Sequence, residues 1–414
     1  MPAIFVTYSF AYVDRANYGF GAASGMAADL HVSGAINALL GALFFLGYFL
    51  FQIPGALYAE RHSAKRLVFW SVIAWGVLAS ATGLLYNVWL LAIDRFLLGV
   101  VESAVLPAML ILLSHWFTRV ERSRANTMLI LGNPITVLWM SVVSGYLAQT
   151  IGWRGMFIAE GLPPILWAVI WWRLVEDEPH QAAWLHGAAP LIEAQLAAEQ
   201  RDIAPVRDLA AAFRTPAVLL LTAQYLCWSI GIYGFILWLP SMLKTGSSLG
   251  IVEVGWLSAV PYLGAALLMV AASWLSDRTQ IRRGVVWPFM LLGAGALYGS
   301  YLIGGKNYWL SYGLLVVAGG AMYAPYGPFF AWITELLPRN VAGGAIALVN
   351  SFGALGSFLG TYLVGLLNGA TGSDDASFLF MACSLLLAAG LTLTVRNPAR
   401  APAAPTPAPR AAVP

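Results

Sequence analysis

The chain has 414 residues, 60% hydrophobic and only 10% charged, with a formal net charge of +3. Soluble globular proteins carry about 25% charged residues, so composition excludes a water-facing exterior and points to a chain that crosses a bilayer many times. Cys227 and Cys383 fall in separate apolar runs, which excludes a disulfide framework and a cysteine-based metal site.

A helix needs roughly 20 largely apolar residues to cross the hydrocarbon core. Runs of that length predict twelve spans, at about 3–25, 36–58, 66–86, 88–116, 123–150, 155–175, 215–242, 253–275, 284–304, 308–334, 340–368 and 376–395. The start, Met1-Pro2-Ala3-Ile4-Phe5, has no basic leader, so no signal peptide is expected. The stretch 176–214 is polar and reads as a connecting loop, and the Pro- and Ala-rich tail 396–414 reads as disordered.

Basic residues give the orientation. With the N-terminus inside, 17 of the 22 Lys and Arg fall on the inner side; Arg154, Lys244 and Lys306 fall outside, and Arg15 and Arg95 lie within spans. The asymmetry predicts both termini in the cytoplasm.

The first span carries Asp14 and Arg15. The fourth carries Asp94, Arg95 and Glu102. A charge at mid-bilayer costs roughly 2.5–3.5 kcal/mol on insertion scales and usually faces a partner or a water-filled path. Arg95 and Glu102 are seven residues apart, so one helix face presents both, roughly 10 Å apart along the axis. Asp94 points about 100° away from Arg95 and reads as a structural, outer-rim charge. Glu160, early in the sixth span, reads as a structural partner of Arg154.

The loops after the second and eighth spans share a pattern. Glu60-Arg61-His62-Ser63-Ala64-Lys65-Arg66 and Asp277-Arg278-Thr279-Gln280-Ile281-Arg282-Arg283 both read acid-Arg, three residues, then two bases. The offset of 217, from Glu60 to Asp277, also carries Arg122 onto Arg339 and Asn133 onto Asn350. Two copies of a six-span bundle are therefore expected, 1–175 and 215–395, joined by the cytoplasmic loop 176–214. Such repeats suit a transporter with its site between the halves at mid-depth. Glu60, Arg61, Asp277 and Arg278 are expected to pair with neighbouring span ends as gates; the bland alternative is positive-inside anchoring.

Gly132-Asn133-Pro134 predicts a kink in the fifth span, and the Gly356–Gly360 stretch predicts close packing in the eleventh. In the second half every charge falls at or beyond a span end. That half can offer only neutral contacts, among them Tyr225, Trp228, Tyr233, Trp238, Tyr323, Tyr326, Trp332 and Asn350.

These strings resemble the major facilitator superfamily, and within it the anion:cation symporter family of sugar-acid, tartrate and aromatic-acid permeases and vesicular glutamate carriers. The resemblance runs through Tyr12-Val13-Asp14-Arg15-Ala16-Asn17, Gln52-Ile53-Pro54-Gly55, Arg95-Phe96-Leu97-Leu98-Gly99 with Glu102 and Pro107, Trp116-Phe117 with Glu121-Arg122, and Gly152-Trp153-Arg154-Gly155-Met156-Phe157-Ile158 with Glu160-Gly161. His62-Ser63 departs from the Phe-Gly usual in that loop. The resemblance implies an all-α membrane protein of two six-helix bundles. It implies proton coupling at Asp14 and Glu102, and substrate contacts from Arg15, Arg95, Tyr48, Asn133 and Asn350.

The residues lead to a similar expectation. Guanidinium groups stay charged in proteins. With Asp14 and Glu102 ionised, the four groups sum to zero; with both protonated, the arginines are free to hold an anion. A carboxylate matches guanidinium geometry. Together with what the resemblance implies, a sugar-acid substrate and a bacterial inner membrane, the expected function is proton-coupled symport of a small organic anion, a monocarboxylate sugar acid; an exchanger or uniporter for tartrate or aromatic acids is the alternative. The expected partners are that anion, protons and the bilayer, with a monomeric chain and no nucleic acid. No nucleophile–base pair, metal cluster or phosphate loop reads as an enzyme site, and no cofactor is expected.

Overall fold

The computed structural model describes residues 1–117, 119–182, 185, 187, 189–200, 216–245, 248–304, 306–336, 339–372 and 375–395. Within its helices the side chains of residues 60, 119–124, 126–127, 197–200, 334–336 and 339–345 lie outside that description, as does the tail 396–414 whose disorder the composition predicts.

Among the described residues the fold is helical, and ten segments are long and apolar enough to cross a membrane. One of them, Met128–Leu174, is two spans joined at Gly152, whose φ of 72° breaks the helix before Trp153. Pro2–Ala23, which carries Asp14 and Arg15, adds the twelfth. The spans are, in order, Pro2–Ala23, Gly34–Arg61, Ala64–Leu84, Val88–Trp116, residues 119–151, residues 153–174, Pro216–Thr245, Ile251–Thr279, Arg282–Gly304, 308–336, Arg339–Thr371 and Asp375–Thr394. They are numbered one to twelve below.

Local chemistry sets several of the ends. Ser33, Ser63, Asn87 and Asn307 are N-caps whose side chains accept from Ile36, Arg66, Trp89 and Leu310 backbone N–H groups respectively. Span four is interrupted at Ala104, between Val88–Ser103 and Val105–Trp116. Pro107 has no N–H to offer the Ser103 carbonyl, so the ladder opens there, one turn before the proline. Span ten is interrupted in the same way, between Tyr308–Tyr323 and Tyr326–Leu336, next to Pro325 and Pro328. The stretch 176–214 is not all loop: Ala189–Gln200 is a helix. Its Ala, Leu, Gln and Glu content favours one, and period-based reading of the polar stretch missed it.

Large apolar side chains such as Trp70, Leu166 and Leu267 stand exposed on the helix exteriors, as a bilayer requires. Spans two and eleven, and spans five and eight, make the broad contacts across the repeat, with spans one and seven alongside. At one end the seam is built from glycine. A Cβ added to Gly19 would lie 2.5 Å from the Leu237 carbonyl oxygen, and one on Gly365 would lie 2.2 Å from Ala38 Cβ. Gly145 and Gly255 bring spans five and eight together in the same way. At that end the Lys244 ammonium donates to the Ala23 carbonyl at 2.7 Å.

Candidate functional site

Span one brings Asp14 and Arg15 into the interior beside the Arg95–Glu102 face of span four. All four side chains are buried. Arg15 Nε donates to Glu102 Oε2 at 3.1 Å, an ion pair linking the two spans. Arg15 Nη2, Glu102 Oε1, Arg95 Nε and both Asp14 carboxyl oxygens are buried with no hydrogen-bond partner among the described residues. Buried polar atoms normally find partners. Several groups of this cluster are therefore left with bonding capacity that the described residues do not fill.

Aromatic rings house both guanidiniums. The Arg15 guanidinium carbon lies 4.8 Å from the Tyr12 ring centre, 4.7 Å from that of Tyr48 and 5.7 Å from that of Phe44. The Arg95 carbon lies 4.9 Å from the Tyr18 ring and 5.7 Å from the Phe44 ring. Rings accept a cation on their faces. Tyr18 is itself fixed by its hydroxyl donating to Asn37 at 2.8 Å.

Between the halves lies a small cavity of about 40 Å³. Span one contributes Tyr8, Tyr12 and Arg15, and span two Phe44, Phe45 and Tyr48. Span four adds Leu106, span seven Tyr225, Ser229 and Tyr233, and span eleven Asn350, Gly353, Ala354 and Ser357. Phe45 packs edge-on to Tyr233 across the seam at 4.8 Å between ring centres.

The residues singled out from the sequence thus divide. Arg15, Tyr48 and Asn350 line the cavity. Glu102 reaches it only through Arg15. Arg95 lies behind, against Tyr18 and Phe44, and is not part of the lining. Asp14 and Asn133 are buried but not in the lining either, and Asn133 Oδ1 has no protein partner. Asp94 accepts from Thr82 Oγ1 at 2.7 Å, joining spans three and four. Glu160 does not pair with Arg154. Arg154 turns back to the Leu85 carbonyl at 2.8 Å and lies against the Tyr86 and Trp153 rings. Glu160 instead accepts from Asn17 and Ser144. A six-residue spacing next to a helix break does not bring two side chains together.

The repeated loops are engaged within their own halves. Asp277 pairs with Arg282 at the start of span nine, and Arg278 stacks on Trp274. Arg61 is exposed, and the Glu60 side chain lies outside the described residues. Lys65 and its neighbours carry a network that the sequence did not reveal. Ser63 Oγ donates to Asp177, Lys65 N donates to Asp177 Oδ1 at 2.8 Å, and Lys65 Nζ pairs with Glu176 at 2.8 Å. Trp116 Nε1 donates to the Glu176 carbonyl at 2.9 Å. Spans three, four and six are thereby tied together at one end. The departure His62-Ser63 is what supplies the Ser63 link.

Comparisons with known proteins bear on the family and the fold. A family model described as Major Facilitator Superfamily matches residues 4–361 and 247–414. A quinolone resistance transporter of Acinetobacter baumannii is 30% identical, over 95% of this chain and 92% of that protein. A putative tartrate transporter of Agrobacterium vitis is 29% identical, over 95% and 88%. A probable galactarate/D-glucarate transporter of Escherichia coli is 24% identical, over 93% and 90%. Among solved structures, a bacterial homolog of the human lysosomal transporter Spinster, inward-facing and occupied, superposes with a TM-score of 0.73 at 18% identity, over 95% of each chain. That likeness concerns the fold.

Proposed function

The chain belongs to the major facilitator superfamily, as a transporter rather than an enzyme, and we propose that it is a proton-coupled symporter of a small organic monocarboxylate. The single observation that carries the reading is the Arg15–Glu102 ion pair at 3.1 Å, whose arginine lines the cavity while its acid does not. Ionised Glu102 holds Arg15. Protonated Glu102 frees the guanidinium for a substrate carboxylate, which matches it in a two-point bond. Asp14, one residue before Arg15 on span one, is the second proton-carrying acid of the cluster, and its charge offsets that of the two arginines without a direct bond to either. Anion and protons then enter together, and the empty site resets when the acids ionise.

One cation in the lining argues for one carboxylate. A dicarboxylate would leave its second charge facing Phe44 and tyrosines, and burying an unpaired charge is costly. The first candidate is a sugar acid: its hydroxyls would meet Ser229, Asn350, Ser357 and the tyrosine hydroxyls. A second reading, an aromatic monocarboxylate, is favoured by the lining itself, where Tyr8, Tyr12, Phe44, Phe45, Tyr48, Tyr225 and Tyr233 are seven of the fourteen residues. The substrates in two relatives' names, tartrate and galactarate/D-glucarate, are dicarboxylates, so the single-carboxylate reading rests on this chain's own lining.

The cycle is rocking of residues 1–175 against 215–395 around the cavity. The glycine seam is the shut outer gate, and the protein sits in an inner membrane with both termini cytoplasmic.

The test is transport in sealed proteoliposomes. A thermal-shift panel of carboxylates names the ligand, because a ligand of the folded state raises its melting point. Uptake of that ligand should then follow an inward proton gradient, and Glu102→Gln should abolish gradient-driven uptake while sparing counterflow. Equal uptake with and without the gradient in the unmodified protein would favour an exchanger or uniporter.

A further inference from the structure

Glu160, like Asp94, is an acid inside the spans of which the mechanism above makes no use. It is buried on span six. Its Oε2 accepts from Asn17 Nδ2 at 2.9 Å and its Oε1 from Ser144 Oγ at 2.5 Å. Asn17 is on span one, Ser144 on span five, so one carboxyl joins three spans.

Glu160 differs from Glu102 in one respect that matters. Glu102 has Arg15; Glu160 has only neutral donors, and among the described residues no Lys or Arg lies within ion-pair distance of it. Glu160 can therefore gain or lose a proton without making or breaking an ion pair. Asn17 Nδ2 donates in both states. Ser144 does not need to: toward a carboxylate it donates, and toward a carboxylic acid its oxygen can accept the new O–H. A hydroxyl that reverses in place makes the exchange cheap in geometry.

Among the described residues one acid is placed to sense the change: Asp14 lies one helical turn before Asn17 on the same face of span one. Span five presents Ser144, and the residues that span three packs here, Gly76 and Ser80 against Gly161, do not titrate. Arg154 is turned away toward Leu85.

We infer that Glu160 is a third proton-exchanging carboxyl of the transporter, working on span one through Asn17 and alongside Asp14. The inference rests on the proton-coupled reading but fails separately from it.

The experiment counts protons on purified protein. Dye-monitored proton uptake is measured across a jump between about pH 9 and pH 5, a window that lies above the ordinary carboxyl range and takes in histidine. Glu160→Gln, isosteric and able to keep the Asn17 and Ser144 contacts, should take up one proton fewer than the unmodified protein. Ser144→Ala keeps the carboxyl and should leave the count unchanged while moving the pH at which that proton binds. An unaltered count in Glu160→Gln, or an unaltered titration in Ser144→Ala, would overturn the inference. Should Glu160→Gln fail to fold, Ser144→Ala decides alone. The Asp14→Asn, Glu102→Gln double variant separates the two claims. If it loses no protons while Glu160→Gln loses one, the ion-pair reading fails and this one stands.

Discussion

Arg15 Nε lies 3.1 Å from Glu102 Oε2 in the buried interior, and it is the arginine alone that reaches the cavity. Removing one member of a buried pair leaves an unpaired charge, at a cost of about 3–5 kcal/mol. Arg15→Ala should therefore lower the melting temperature well below that of the unmodified protein. Adding Glu102→Gln to it should restore most of the loss, since the orphaned charge is gone. A thermal-melt double-mutant cycle checks this, and additive losses would remove the pair from the account.

Phe44 lies within 5.7 Å of both guanidinium carbons, lining the cavity on one side and covering Arg95 on the other. Phe44→Ala should expose the second cation. Dicarboxylates would then stabilise the variant by several degrees in a thermal-shift panel that they leave unmoved in the unmodified protein. The cost to folding is about 3–5 kcal/mol if the site does not relax.

Gly365 has Ala38 Cβ where its own Cβ would go, at 2.2 Å. Gly365→Val should force the seam apart and favour the state open at that end. Cysteines placed at Ala38 and Trp238 would label faster in the variant with a membrane-impermeant maleimide. Equal labelling rates would mean that the seam is not the gate.

Ser63 and Lys65 are both bonded to Asp177. Hydrogen bonds to a charged group contribute about 1.5–3 kcal/mol. Asp177→Ala should lower thermal stability accordingly, with Ser63→Ala giving a smaller part of the same loss. Substrate affinity, measured by thermal shift, should be unmoved, because this network is at the span ends, away from the cavity.

Much of this was legible in the sequence. Long apolar runs gave the twelve spans, because hydrophobic length is the dominant demand of a bilayer. Asp14, Arg15, Arg95 and Glu102 stood out because each is costly where it lies. Their pairing was not legible. A seven-residue step puts Arg95 and Glu102 on one face, but it says nothing of which neighbour a long guanidinium reaches, and Arg15 rather than Arg95 holds Glu102. The screening of Arg95 by Phe44 is a packing outcome with no local signal. Glu160 and Arg154 do not meet because six residues along one helix put them about 120° apart around its axis, and Arg154 reaches Leu85 instead. Asp177 went unnoticed in a polar stretch where charged residues are ordinary.

The interruption at Ala104 places Glu102 at the terminus of a short helical rod rather than amid a continuous one. Its carboxyl is thus carried by Val88–Ser103, while Val105–Trp116 is anchored separately, through Trp116, to the chain leaving span six. The acid and the anchor sit on opposite sides of the Ala104 interruption, the one point in the described part of span four where the helix axis has a ladder bond fewer to stiffen it.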